Sequence, residues 1–113
     1  MKAINQTRQK VLAENVVIAD TTCRRMKGLL GRKSLLPTEA LLIKPCNQVH
    51  TFFMRFPIDI LFVNKENRVI KAVSSLKPFR ITPLYFSASF ALELPAGSIQ
   101  SSSTQVEDIL SFI

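Results

Sequence analysis

The sequence predicts a mainly β domain, an antiparallel sandwich or partly closed barrel with one short amphipathic helix near the N-terminus. Three observations lead there. Apolar residues come in short runs bounded by Pro, Gly and polar clusters, and many of them are β-branched or aromatic. Helical spacing is confined to one stretch, around residues 20–31. A length of 113 residues, 47% hydrophobic and 20% charged, suits one core that needs neither metal nor disulfide to fold.

Residues 1–8 read as a polar tail ahead of a single domain over 9–113. The runs 10–13 and 16–19 flank Glu14-Asn15, which suggests a short hairpin or a bulged opening strand. The helix follows. Asp20 or Thr21 can cap it, Cys23, Met26, Lys27 and Leu30 fall at helical spacing, and Gly31 is placed to end it. Beyond Pro37 the texture turns to strand. Residues 40–43 form an apolar run that Pro45 stops, 49–53 are β-branched and aromatic, and 58–63 are apolar on both faces, as in a central strand. A polar turn at 64–67 and the alternation of 68–73 make a hairpin with 58–63. Pro78 and Pro83 mark a loop. Residues 90–94 form another strand, halted by Pro95-Ala96-Gly97, and a last apolar segment closes the chain around 109–113.

The motifs run in the order of a known family. Arg25-Met26-Lys27-Gly28-Leu29-Leu30-Gly31-Arg32 is followed by Cys46-Asn47-Gln48-Val49-His50-Thr51-Phe52-Phe53-Met54-Arg55-Phe56-Pro57-Ile58-Asp59-Ile60-Leu61-Phe62-Val63. Leu76-Lys77-Pro78-Phe79-Arg80 and Leu92-Glu93-Leu94-Pro95-Ala96-Gly97 come next. Over residues 16–113 the chain resembles the DUF192 (UPF0127) family of uncharacterised proteins. The resemblance implies a small, mainly β domain with a short helix and brings no assigned activity. One departure concerns a Gly-Asp turn frequent in the family, where this chain has Glu107-Asp108 and a reshaped turn is expected. Many relatives look exported, and this chain shows no export signal.

Several function classes are disfavoured. The apolar runs are far shorter than the ~20 residues of a membrane-spanning helix, and the N-terminus lacks the ~7–15-residue apolar region of a signal peptide, so a cytoplasmic location is expected. Walker and dinucleotide glycine loops, HExxH and G-x-S-x-G are missing. Cys23 and Cys46 read as two free thiols in a reducing compartment. The net charge is +7, and residues 1–36 hold six of those seven charges. Arg24, Arg25, Lys27, Arg32 and Lys33 therefore either form a solvated basic helix, the favoured reading, or make a weak contact with nucleic acid or an anionic surface.

Chemistry concentrates between Cys46 and Asp59. On a strand over 49–54, His50, Phe52 and Met54 share one face. The sole histidine suits a general base near neutral pH, or a packed ring with bonded nitrogens, which is the favoured reading. Cys46 and His50 lie about 13 Å apart on an extended chain, too far for one zinc ion, so neither metal nor cofactor is expected. Asp59 and Glu93 sit in apolar strands, where a buried carboxylate demands partners such as Arg55, Arg80, His50 or backbone N–H groups. A structural role is favoured for both, against a His50–Asp59–Glu93 cluster in a cleft.

The reading is a binding or interaction module for an unidentified small molecule or protein, with a cleft near His50, Met54 and Asp59 and further contacts from Arg80 and Glu93. A small hydrolase or isomerase using His50 with Asp59 or Glu93 is the first alternative. A nucleic-acid or anionic-surface binder acting through the basic N-terminal third is the second. Oligomeric state is open.

Overall fold

The computed structural model describes residues 1–19, 35–52 and 54–113. The elements are β1 (Ala3–Asn5), β2 (Lys10–Ala13), β3 (Asn15–Ala19), β4 (Glu39–Ile43), β5 (Ile58–Val63), β6 (Val69–Leu76), β7 (Phe90–Pro95), α1 (Ser98–Ser102) and β8 (Leu110–Phe112). They form a three-stranded sheet of order β2-β1-β8 and a five-stranded sheet of order β3-β4-β7-β5-β6. The described residues are mainly β, in two sheets with no closed barrel among them.

Strand β5 behaves as its composition demands. All six residues are buried, because β5 lies between β6 and β7 and carries an apolar layer on each face. On one face Leu61 and Val63 join Leu92 and Leu94 of β7 and Leu42 of β4. That layer packs against Ala3, Leu12 and Leu110 from the three-stranded sheet and Ile99 from α1. On the other face Ile58, Ile60 and Phe62 join Leu41, Ile43 and Ala91. Among the described residues no second sheet covers the strands here. Val49, Met54, Cys46, Phe56 and Tyr85, all from connecting segments, pack there instead.

Several expectations need correction. The sheet is mixed: β3 and β4 run parallel, from Asn15↔Glu39 to Ala19↔Ile43. A parallel pair needs a crossover of about a dozen residues or more, which residues 20–38 supply. The hairpin expected over 10–19 does not form, since β2 pairs β1 and β3 pairs β4 in separate sheets. The helix expected over 20–31 lies outside the described residues, and the described helix is α1, in the serine-rich stretch that follows β7. Residues 3–5, expected in a polar tail, are the middle strand of the three-stranded sheet, with Ala3 and Asn5 fully buried. Asn5 looks like a tail residue until its amide is seen donating to Thr104 Oγ1 and Asp108 Oδ2, both at 2.9 Å.

The β5–β6 hairpin forms as its pattern indicates. In its turn Asn64 Oδ1 accepts from the N–H groups of Glu66 (3.0 Å) and Arg68 (2.9 Å), and Asn67 takes φ 61°. The Glu107-Asp108 turn keeps a left-handed residue without glycine: Glu107 has φ 84° and donates its N–H to Val69 O at 2.7 Å.

Candidate functional site

Residues 47–52 and 79–85 run side by side as a short antiparallel ribbon. Thr82 N–H donates to Val49 O (2.9 Å), Thr51 N–H to Arg80 O (2.8 Å) and Tyr85 N–H to Asn47 O (2.9 Å), and His50 bridges Ile81. In place of the strand expected over 49–53 the pairing reaches only an isolated bridge at His50. It ends because Met54 N–H turns back to Thr51 O at 3.2 Å. That turn also breaks the expected side-chain alternation. Val49 and Thr51 point inward and His50 and Phe52 outward, but Met54 is buried in the apolar layer and does not share their face.

Thr51 pins the ribbon. It is fully buried, its hydroxyl donates to Lys77 O (2.6 Å), and its Oγ1 accepts from Arg80 N–H (2.9 Å). Thr82 does the same at the other end, accepting from Val49 N–H at 3.0 Å. Sequence reasoning missed both, because threonine in a β-branched run reads simply as a strand former. Of the other candidates, the exposed His50 ring stacks on Phe52 with centroids 5.3 Å apart. Arg80 is exposed, its guanidinium 3.4 Å from Phe79 O. Cys46 donates its thiol to Gln48 O at 3.2 Å. The pairing of Cys23 falls outside the described residues, as do Arg24, Arg25, Lys27, Arg32 and Lys33.

The two buried carboxyls are not neighbours. Asp59 is registered opposite Leu94, and Glu93 opposite Ile60, so they project from opposite faces of the β5–β7 pair. Asp59 is fully buried yet saturated. Its Oδ1 accepts from Ser75 N–H (2.8 Å), and its Oδ2 from Gly97 N–H (3.1 Å) and Ile99 N–H (2.8 Å). It thereby caps α1, whose N-cap Gly97, at φ 96°, offers no side chain for that task. The partners expected for it, Arg55, Arg80 and His50, are replaced by backbone.

Glu93 is the opposite case. It is 4% exposed and stands in register with Leu41 and Ile60 on the face covered by connecting segments. Burial pushes its pKa up from 4.5 to about 8. At neutral pH it is therefore a protonated carboxyl, able both to donate and to accept a hydrogen bond. Met54 belongs to the same apolar layer, through Ile58, Ile60 and Ala91. The structure thus divides the expected cluster in three: His50 outside, Asp59 at the N-terminus of α1, and Glu93 on the opposite face of the β5–β7 pair. Among the described residues no group of three or more His, Cys, Asp or Glu side chains is arranged to hold a metal. No described helix is long and apolar enough to cross a membrane.

With this geometry in view, comparison with known proteins places the fold and the family. The DUF192 family, described as "Uncharacterized ACR", matches residues 3–112. A UPF0127 protein of Pyrococcus furiosus is 33% identical over 113 residues, covering 95% of this chain and 94% of its own. A Novosphingobium aromaticivorans protein of unknown function shares the fold, with a TM-score of 0.86 at 20% identity over 99% of this chain and 84% of its own. A Sinorhizobium meliloti protein, provisionally described as a transcription regulator, has a TM-score of 0.83 at 19% identity over 97% of this chain and 89% of its own. The near-complete match from β1 to β8 and the one-third identity across almost the whole length have one consequence: this chain belongs to the DUF192 family of uncharacterised proteins.

Proposed function

We propose that the protein is a small binding module whose ligand is held on the segment-covered face of the five-stranded sheet, with the Glu93 carboxyl at the floor and Met54 in the wall. The observation that carries this reading is the contrast between two buried acids. Asp59 is satisfied by three backbone N–H groups and has a structural task. Glu93 sits in an apolar layer, and burial raises its pKa to about 8. Burying a carboxyl in an apolar layer costs free energy, and a polar ligand group that pairs with it recovers part of that cost. The fitting ligand has an apolar body and one polar head: an amide, alcohol or amine that pairs with a carboxyl held uncharged in free protein.

Acid–base catalysis by His50 with Asp59 finds less support, since Asp59 is occupied by backbone and His50 stacks outward on Phe52. A ligand-observed NMR screen of small amides, alcohols and amines against the whole chain tests the binding reading. Hits are expected to shift the Glu93 carboxyl 13C signal and to be lost in Glu93→Leu. Hits that leave that signal unmoved contradict the site.

A further inference from the structure

The second segment of the ribbon exposes four large apolar side chains. Phe79 is 59% exposed, Ile81 58%, Leu84 48% and Phe86 85%. All four fall within one loop of eight residues, 79–86, and Phe52 stands on the adjoining strand of the ribbon. Scattered single apolar residues need no explanation, but a run of this kind marks a contact surface. Its charge is one-sided. No acidic residue occurs between Glu39 and Asp59 or between Glu66 and Glu93, so both strands of the ribbon are free of acids. Arg55, Lys77 and Arg80 are exposed around it, and none forms an ion pair with another described residue.

We propose that the loop at residues 79–86, flanked by Arg55, Lys77 and Arg80, docks on an anionic lipid surface, inserting Ile81, Leu84 and Phe86 at the headgroup–acyl boundary. Apolar tips with a basic collar are the combination such a surface selects: the tips gain by leaving water and the collar is drawn to the lipid charge. Other occupants fit less well. Single-stranded nucleic acid binds by stacking bases on free aromatic faces, but Ile81 and Leu84 have no such face, and His50 and Phe52 already stack on each other. A second copy of the chain would bring two acid-free basic ribbons together. The inference is independent of the Glu93 site, which does not involve these exposed side chains.

Flotation of the whole protein with phosphatidylcholine vesicles, and with vesicles in which phosphatidylglycerol replaces a third of that lipid, tests the proposal. Each basic residue near an anionic surface contributes roughly fivefold in affinity, so Lys77→Glu/Arg80→Glu should lower binding by well over tenfold. Phe86→Ser removes an exposed side chain that supports no core, and should lower it by about tenfold or more with thermal stability unchanged. Binding should weaken in high salt without disappearing in wild type. Equal binding to neutral vesicles overturns the proposal, and so does absence of vesicle binding. Vesicle binding untouched by both variants also overturns it, because the charge of the N-terminal third is then sufficient. Tighter binding to a poly-dT oligonucleotide than to anionic vesicles assigns the surface to nucleic acid instead.

Discussion

Asp59 and Glu93 look alike in sequence, each a lone acid inside an apolar strand, and the fold gives them opposite tasks. Asp59 ties β5 to Ser75 of β6 and to the N-terminus of α1. Asp59→Ala strands three N–H groups, and is expected to cost about 3–5 kcal/mol in urea unfolding, with faster hydrogen exchange at Ser75, Gly97 and Ile99. Glu93 instead imposes a pH dependence. Its folded pKa, about 8, lies above the ordinary 4.5, so the folded state keeps a proton that the unfolded chain releases. Stability from this group is complete below pH 4.5, declines by about 1.4 kcal/mol per pH unit up to 8, and is level above. Glu93→Gln should abolish that decline between pH 5 and 8. The burial of both acids was legible in their apolar neighbours. Their separation was not, since it follows from the Ile60↔Glu93 register, a pairing of strands 33 positions apart.

Among the elements, local patterns were readable and partner choice was not. The six apolar residues of β5 announce a strand buried on both faces, and Asn64 to Asn67 announce its turn. Strand β3 announces itself as well, but its parallel pairing with β4 depends on a crossover that local pattern does not encode. The ribbon over 47–52 and 79–85 was half visible. Its β-branched and aromatic residues signal extended chain, while its stability rests on Thr51, whose hydroxyl holds Lys77 O and Arg80 N–H. Thr51→Val keeps the shape and deletes both bonds, so it should cost about 2–4 kcal/mol by thermal or urea unfolding. Residues 79–82 should then exchange their amides faster than the core of β5.

Across the molecule, the two chain ends close the smaller sheet. Lys2 N–H donates to Ile113 O at 2.7 Å, and β1 lies between β2 and β8. The closure is locked by a buried polar network around Asp108, which accepts from Asn5 Nδ2 (2.9 Å), Arg8 Nε (3.0 Å) and Gln105 N–H (3.0 Å). Burial by itself would raise the Asp108 pKa. The hydrogen bonds from Arg8, Asn5 and Gln105, with the Arg8 charge, outweigh it and hold the carboxyl below its usual 3.8. The stability it supplies is therefore present above pH 3.8 and lost as pH falls through the lowered value. Arg8→Ala should lower stability at neutral pH by about 1–3 kcal/mol and shrink that acid-side loss, as read from urea midpoints between pH 2 and 6. No sequence pattern marks this network, because Asn5, Arg8 and Asp108 meet only after the ends pair.

The most direct test of the central claim is a pH titration of the Glu93 side-chain carboxyl 13C signal in the free protein, assigned by comparison with Glu93→Gln. A midpoint near 8 is expected, and it establishes an uncharged buried acid on the segment-covered face, ready for a polar ligand group. A midpoint near the ordinary 4.5 would mean that water or a cation already satisfies the carboxyl, and the binding site proposed around it would have no basis.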